Sequence, residues 1–382
     1  MLTSLLVLLL LGTDWPEWRG PHRDGEVTEE PANWPAKLTL KWKTEVGIGH
    51  SSPIMAGGSI YEFARQSDQE TVLSIDPSNG KIRWKQQYAA PYKMNSAATG
   101  HGEGPKATPL YANGRLYTLG ISGILSAFNA ETGKPIWRLD FKGSPDFGTA
   151  MSPVIDGNLL IAHIPSGLTA FDAATGTVKW TWNGDSPAYA SPIVVDLGGV
   201  RQVVTQTHSN IVSVAVENGK LLWKIPFETS YDQNIVTPVL YKDTLIFSGL
   251  DKGVFAVRSG QTIWKNKDVS MYMNSPVIEG DFLFGFSHLK KGQLFCLNAG
   301  TGATLWTGPP RSGDNAAMLA SSTTLYALLT DGQLVIAKPT AQGLNEIRRY
   351  QVAESPTWAH PVVLADGVLI KDLKTLARWG VN

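Results

Sequence analysis

The chain has 382 residues, and its 33 Lys and Arg balance 33 Asp and Glu, so the formal charge is zero. A neutral chain lacks the electrostatic footprint that would make nucleic acid or an anionic membrane surface its partner. Cys296 is the one cysteine, which excludes an internal disulfide and a cysteine-based metal site.

Leu5 to Leu11 is an apolar run too short to span a bilayer, so nothing here reads as an integral membrane protein. Residues 1–13 read as a secretory signal peptide, although no Lys or Arg precedes the run. A truncated start or a buried N-terminal strand is the competing reading. No Cys follows the run as a lipid-anchor signal. Residues 14–38 open with Trp15, Pro16 and Trp18 and run through Gly20, Pro21 and Gly25. This strap is expected to pack across one end of the domain without forming a regular element.

From residue 39 onward the chain repeats. Ala170-Phe-Asp172-Ala-Ala-Thr175-Gly176-Thr-Val-Lys-Trp180 is the most complete copy of an eleven-residue unit. Asp and Thr side chains can bond the amides of their own turn, and Gly tolerates the positive φ such a turn demands. Partial copies end at Trp84, Trp137, Trp223, Trp264 and Trp306. With Trp42 these tryptophans are spaced by 42, 53, 43, 43, 41 and 42 residues, and Tyr350 follows 44 after the last. A period in the low forties, all-β within each unit, is the signature of a propeller blade.

Each unit opens with a short apolar strand on Ser/Thr-Pro: Ser52-Pro53, Thr108-Pro109, Ser152-Pro153, Ser191-Pro192, Thr237-Pro238 and Ser275-Pro276. Ala317-Met318 and His360-Pro361 are the departures. Proline is tolerated at a strand's first residue, where its missing N–H costs no ladder bond. Eight openings are present, but the eighth unit runs out after about three strands, while the Trp42 strand lacks a hairpin partner. Residues 39–382 are therefore expected to form an all-β, eight-bladed β-propeller of four-stranded antiparallel blades. An N-terminal strand in the last blade closes the ring and removes the open edges.

Read this way, the sequence resembles the pyrroloquinoline-quinone (PQQ)-like β-propeller repeat family, whose hallmark is the tryptophan-docking motif Ala-x-Asp-x-x-Thr-Gly-x-x-x-Trp. The match runs from about residue 40 to the C-terminus. The resemblance implies two different functions. Quinoprotein alcohol dehydrogenases use PQQ and calcium and stack the quinone on a vicinal disulfide, which a chain with one Cys cannot form. The propeller of the outer-membrane β-barrel assembly machine is non-catalytic, and its members are usually lipid-anchored.

Antiparallel blades place the loops from fourth to first strands on one face, together with those from second to third strands. Candidate ligand-binding residues on that face are His50, Arg65, His101, Lys106, Tyr189, Tyr231, Asn234, Tyr272, Asn274, Trp358 and His360. Glu103 and Asp232 are the acids considered for catalysis. His50, His101 and His360 cluster by topology, but their spacing matches no compact metal motif, and no metal is expected. The expectation is an exported propeller, periplasmic or secreted, that acts as a binding or scaffold module for envelope proteins or a small ligand. The alternatives are a PQQ-dependent or other oxidoreductase, and a carbohydrate binder using Tyr189, Tyr231, Tyr272 and Trp358 as stacking platforms.

Overall fold

The computed structural model describes residues 14–143 and 145–382, so the expected signal peptide over residues 1–13 lies outside the described residues. Eight four-stranded antiparallel sheets surround a central axis. Blades one to seven span residues 54–89, 110–140, 154–182, 193–226, 239–266, 277–307 and 316–351. Blade eight combines Val362–Leu364, Gly367–Lys371 and Thr375–Gly380 with Thr39–Glu45. The N-terminal strand pairs antiparallel with Thr375–Gly380, setting Trp42 opposite Arg378. The ring closes as its sequence requires.

Burial follows radius. In blade one the second strand, Ser59–Gln66, is buried at every residue but the last, because a neighbouring blade covers each face. The outer strand Ile82–Ala89 alternates between exposed and partly buried positions and buries only Tyr88. Middle strands are therefore read as continuous apolar runs, and outer strands alternate.

The outer tryptophans join one blade to the next. Trp180 of blade three is buried, and its indole N–H donates to Val216 O in the turn of blade four at 2.8 Å. Trp42, Trp84, Trp137 and Trp306 make the same bond to Pro77, Ala130, Ala173 and Thr340 of the following blade. The turn glycine of the receiving blade lies under the indole. Gly219 has φ +71°, and a Cβ there would stand 2.5 Å from the Trp180 ring. Glycine is thus fixed twice, by backbone conformation and by close approach.

In blades one to six each Trp also faces a small residue across its own sheet, as Ala127 does Trp137, Ala170 Trp180 and Ala256 Trp264. Immediately after that residue the register shifts by one, a bulge repeated from blade to blade. Cys296 occupies the small position opposite Trp306 and is fully buried, its thiol pushed up to about 12 by desolvation. It is a packing residue.

Blade seven breaks the pattern. Its outer strand carries Tyr350, and blade eight has no turn to receive an aromatic ring, because its third and fourth strands, Thr375–Gly380 and Thr39–Glu45, are not consecutive in the chain. The strap fills the gap: Tyr350 Oη donates to Pro35 O, and Trp34 packs against Tyr326 and Tyr350. Glu30 accepts bonds from Ser321, Thr323 and Tyr326 of the same blade.

Blade one buries two acids. Glu62 lies within electrostatic reach of Lys371 of blade eight, and desolvation raises its carboxyl pKa. Glu70 accepts the Ile121 N–H of blade two at 2.7 Å, and burial pushes its carboxyl up to about 7.

Two outcomes follow from this packing. Trp180→Ala should cost about 3–5 kcal/mol in denaturant melts, since it opens a large cavity and orphans the Val216 carbonyl. A loss well under 1 kcal/mol would mean that the indole does not join the blades. Glu70 holds its proton more tightly folded than unfolded, so its contribution is complete below the unfolded carboxyl range and is lost as pH rises to about 7. Over that interval wild type should lose on the order of 3 kcal/mol relative to Glu70→Gln, which cannot ionise. Melts of both proteins from about pH 4 to 8 test this, and parallel profiles would refute it.

Candidate functional site

The strap closes one end of the central channel. Trp15 exchanges both backbone hydrogen bonds with Met55 on the inner strand of blade one, and Pro16 O accepts Tyr111 N of blade two. Arg23 reaches Ser152 O and Pro153 O of blade three, and Arg19 reaches Pro276 O of blade six. Val27 N and Gly25 O then bond Ala320 of blade seven. Five inner strands are tied across the axis by one irregular segment. Trp18 lies near the axis, with the guanidinium carbons of Arg19 and Arg23 5.5 and 5.9 Å from its ring.

Beside Trp18 the Ser/Thr-Pro openings form a belt. His360 N donates to Ser52 Oγ, Ser52 N to Thr108 Oγ1, and Thr108 N to Ser152 Oγ. Ser152 N donates to Ser191 Oγ, Ser191 N to Thr237 Oγ1, and Thr237 N to Ser275 Oγ. Each distance lies between 2.8 and 3.1 Å. The belt ends at blade seven, where Ala317 has no hydroxyl and the strap bonds nearby instead. Every belt hydroxyl spends acceptor capacity on a neighbour's amide and keeps its own proton for another partner.

Within this ring lies a cavity of about 410 Å³ with Trp18 in its lining. Of the residues expected on this face, His50, His101, Lys106, Tyr189, Tyr231, Tyr272, Asn274, Trp358 and His360 line it together. Four expected residues do not. Arg65 is buried, its guanidinium donating to Ala90 O at 2.9 Å, because its strand directs it into the blade interface. Asn234 is buried and donates to the carbonyls of Thr207, His208 and Phe227. Glu103 accepts Met94 N, and Asp232 sits 3.1 Å from His208 Nε2.

Sequence reasoning missed the lining residues Trp18, Phe147, Gln233 and the belt hydroxyls Ser52, Ser191, Thr237 and Ser275. The belt did leave a signal, since a hydroxyl precedes the opening proline in six of the eight units. It reads as strand punctuation until the ring shows what the hydroxyls meet. Trp18 left none beyond its place in the strap.

The bases of the cavity are held neutral. His50 Nε2 lies 2.9 Å from His101 O, so that nitrogen carries the proton. Burial, with His101, Lys371 and Lys106 nearby, pushes the His50 imidazole down to about 3. Desolvation likewise takes His360 to about 3, aided by Arg19, and its ring meets Trp18 edge-on at 5.3 Å. Burial lowers His101, which packs edge-on against Trp358 at 4.8 Å. Lys106 donates to Phe147 O at 2.8 Å and is brought down to about 8 by desolvation. Phe147 N in turn donates to Tyr189 Oη. No carboxylate lines the cavity among the described residues. The site therefore offers aromatic walls, hydroxyl protons and weakly held bases, a combination suited to binding.

Solved structures of this shape include an outer-membrane assembly factor and quinoprotein dehydrogenases. The crystal structure of BamB from Moraxella catarrhalis superposes with a TM-score of 0.64 at 17% identity, covering 90% of this chain and all of that one. A europium-containing methanol dehydrogenase gives 0.68 at 12% identity, covering 95% and 89%. At these identities the likeness is one of fold. The outer membrane protein assembly factor BamB of Yersinia pestis is 24% identical over 291 residues, 70% of each chain. The profile of the family described as outer membrane protein assembly factor BamB matches residues 68–308, well over half of the propeller, and the chain belongs to that family.

Proposed function

We propose that this chain is a non-catalytic binding and scaffold propeller of the bacterial envelope, facing the periplasm, with a partner in outer-membrane protein assembly. The carrying observation is the loop between blades four and five. Tyr231 is 79% exposed beside the cavity mouth and adopts φ +62°, and Asp232 follows at φ +56°. Consecutive left-handed residues cost about 1–2 kcal/mol each, and such strain persists only where surrounding structure imposes it. Asn234 imposes it here: it accepts Thr229 Oγ1 and ties three carbonyls of the adjoining loops together. An exposed aromatic ring on a stapled loop is the form of an interface anchor.

The alternative drawn from the dehydrogenases does not fit these residues. Calcium is held by carboxylate and carbonyl oxygens, and the cavity lining supplies no carboxylate among the described residues. Cys296 is buried in a blade strand without a partner thiol, so no disulfide can clamp a quinone. Asp232 and Glu103, the acids a base-catalysed oxidation would recruit, are paired outside the cavity.

In vitro binding to periplasmic domains of the outer-membrane assembly apparatus from the same bacterium tests the proposal. Tyr231→Ala should weaken that binding by about 2 kcal/mol or more without altering the fold. Unchanged affinity, or dye-linked alcohol oxidation after reconstitution with PQQ and calcium, would overturn it.

A further inference from the structure

Lys106 is the one ammonium side chain in the cavity lining among the described residues. It enters from the loop between blades one and two, and its hydrogen bond goes to a backbone carbonyl, Phe147 O. The imidazoles of His50 and His101 lie within electrostatic reach, and Lys371 acts on His50, while the acids of the adjoining loops, Asp146 and Glu103, bear on Tyr189 and Tyr92. A lysine without a counter-ion, among apolar walls and other bases, gives up its proton readily and becomes a nucleophile. The walls beside it are aromatic, with Phe147 and Tyr189 on one side and Trp358 on another. The belt hydroxyls leave protons available for a ligand's acceptor oxygens.

We propose that Lys106 anchors carbonyl compounds covalently, capturing an aldehyde or ketone with an aromatic body as a Schiff base in the central cavity. The free amine attacks the carbonyl carbon, a C–N bond forms, and the C=O π pair moves to oxygen. One proton passes from nitrogen to that oxygen to give a carbinolamine, and the second N–H proton follows to the same oxygen. The C–O bond then breaks, water leaves, and the imine remains. The step is reversible hydrolysis chemistry and needs no oxidant or reductant. It goes beyond the scaffold reading and does not depend on it, because everything is read on the isolated protein.

The test treats the full chain with benzaldehyde, reduces with borohydride, and maps the modified peptides. Lys106 should be labelled roughly tenfold faster than the exposed Lys142 and Lys179 near pH 7.5, because more of its amine is free. The pH dependence of its labelling should have a midpoint near 8, where the ordinary lysine range lies about two units higher. Lys106→Arg should abolish the cavity label while circular dichroism and the melting temperature stay as in wild type. Should that variant misfold, the wild-type labelling ratio and pH midpoint still decide. Labelling of Lys106 no faster than Lys142 would overturn the proposal. So would benzoate binding that protects the cavity while benzaldehyde leaves no reducible adduct, since Lys106 would then act as a counter-ion.

Discussion

The structure depends on an indole lying across the turn of the next blade. A propeller blade cannot bury both faces alone, so stability resides in the seams between blades. Five of the eight seams combine apolar burial with one directed bond from Nε1 to a turn carbonyl. Burial supplies most of the energy, and the bond adds about 1 kcal/mol while fixing the angle between blades. The motif is read as one blade's turn and strand, yet its residues act on two neighbours. Gly219 serves Trp180 of the preceding blade, and Trp223 of its own blade serves Gly260 of the next. The bond is not uniform, since Trp264 Nε1 lacks a partner although its ring lies on Gly302. Packing therefore sets the seam, and the hydrogen bond refines it.

Fold and site were unequally legible in the sequence. Blade count, strand order and ring closure could be read because they rest on repetition: a Trp every forty-odd residues, a hydroxyl before proline, and an unpartnered strand matching a missing one. The face carrying the site was legible for the same reason, since antiparallel connectivity assigns every loop. Which loop residues reach the axis was not. Arg65 and Asn234 lie on the expected face, but strand direction turns one into a blade interface, and hydrogen bonding draws the other beneath its loop. Neither choice leaves a periodic trace. Trp18 was invisible for a different reason: an irregular strap has no register from which a side chain's direction could be deduced.

The strap links stability to the site. It supplies the aromatic surface that blade eight lacks at Tyr350, and nearer its start it supplies Trp18 to the cavity. A propeller closed by a single outer strand would leave its channel open at both ends. Threading residues 14–38 through the channel seals one end and leaves the loop face as the entrance. Arg19 shows the energetic weight of this arrangement: it is fully buried, donates to Asp24 O and Pro276 O, and desolvation lowers its guanidinium to about 10. A cation buried at that cost stays in place only because the surrounding backbone is already fixed.

The same fixed backbone gives the cavity its chemistry. A belt in which each hydroxyl accepts the preceding blade's amide keeps its protons for other partners, an arrangement set by the closure of the ring itself. Burial then strips the proton from His50 and His360 and weakens the hold of Lys106 on its own. Protonating either imidazole would place a cation beside Lys106 or Arg19, which explains why the bases stay neutral together. The blades around the ring closure thus create, with no carboxylate in the lining among the described residues, a pocket of neutral imidazoles, one weakly protonated lysine and free hydroxyl protons above an indole. Such a pocket discriminates by withholding carboxylate counter-ions, so a ligand that satisfies its donors must bring acceptor atoms and apolar surface of its own.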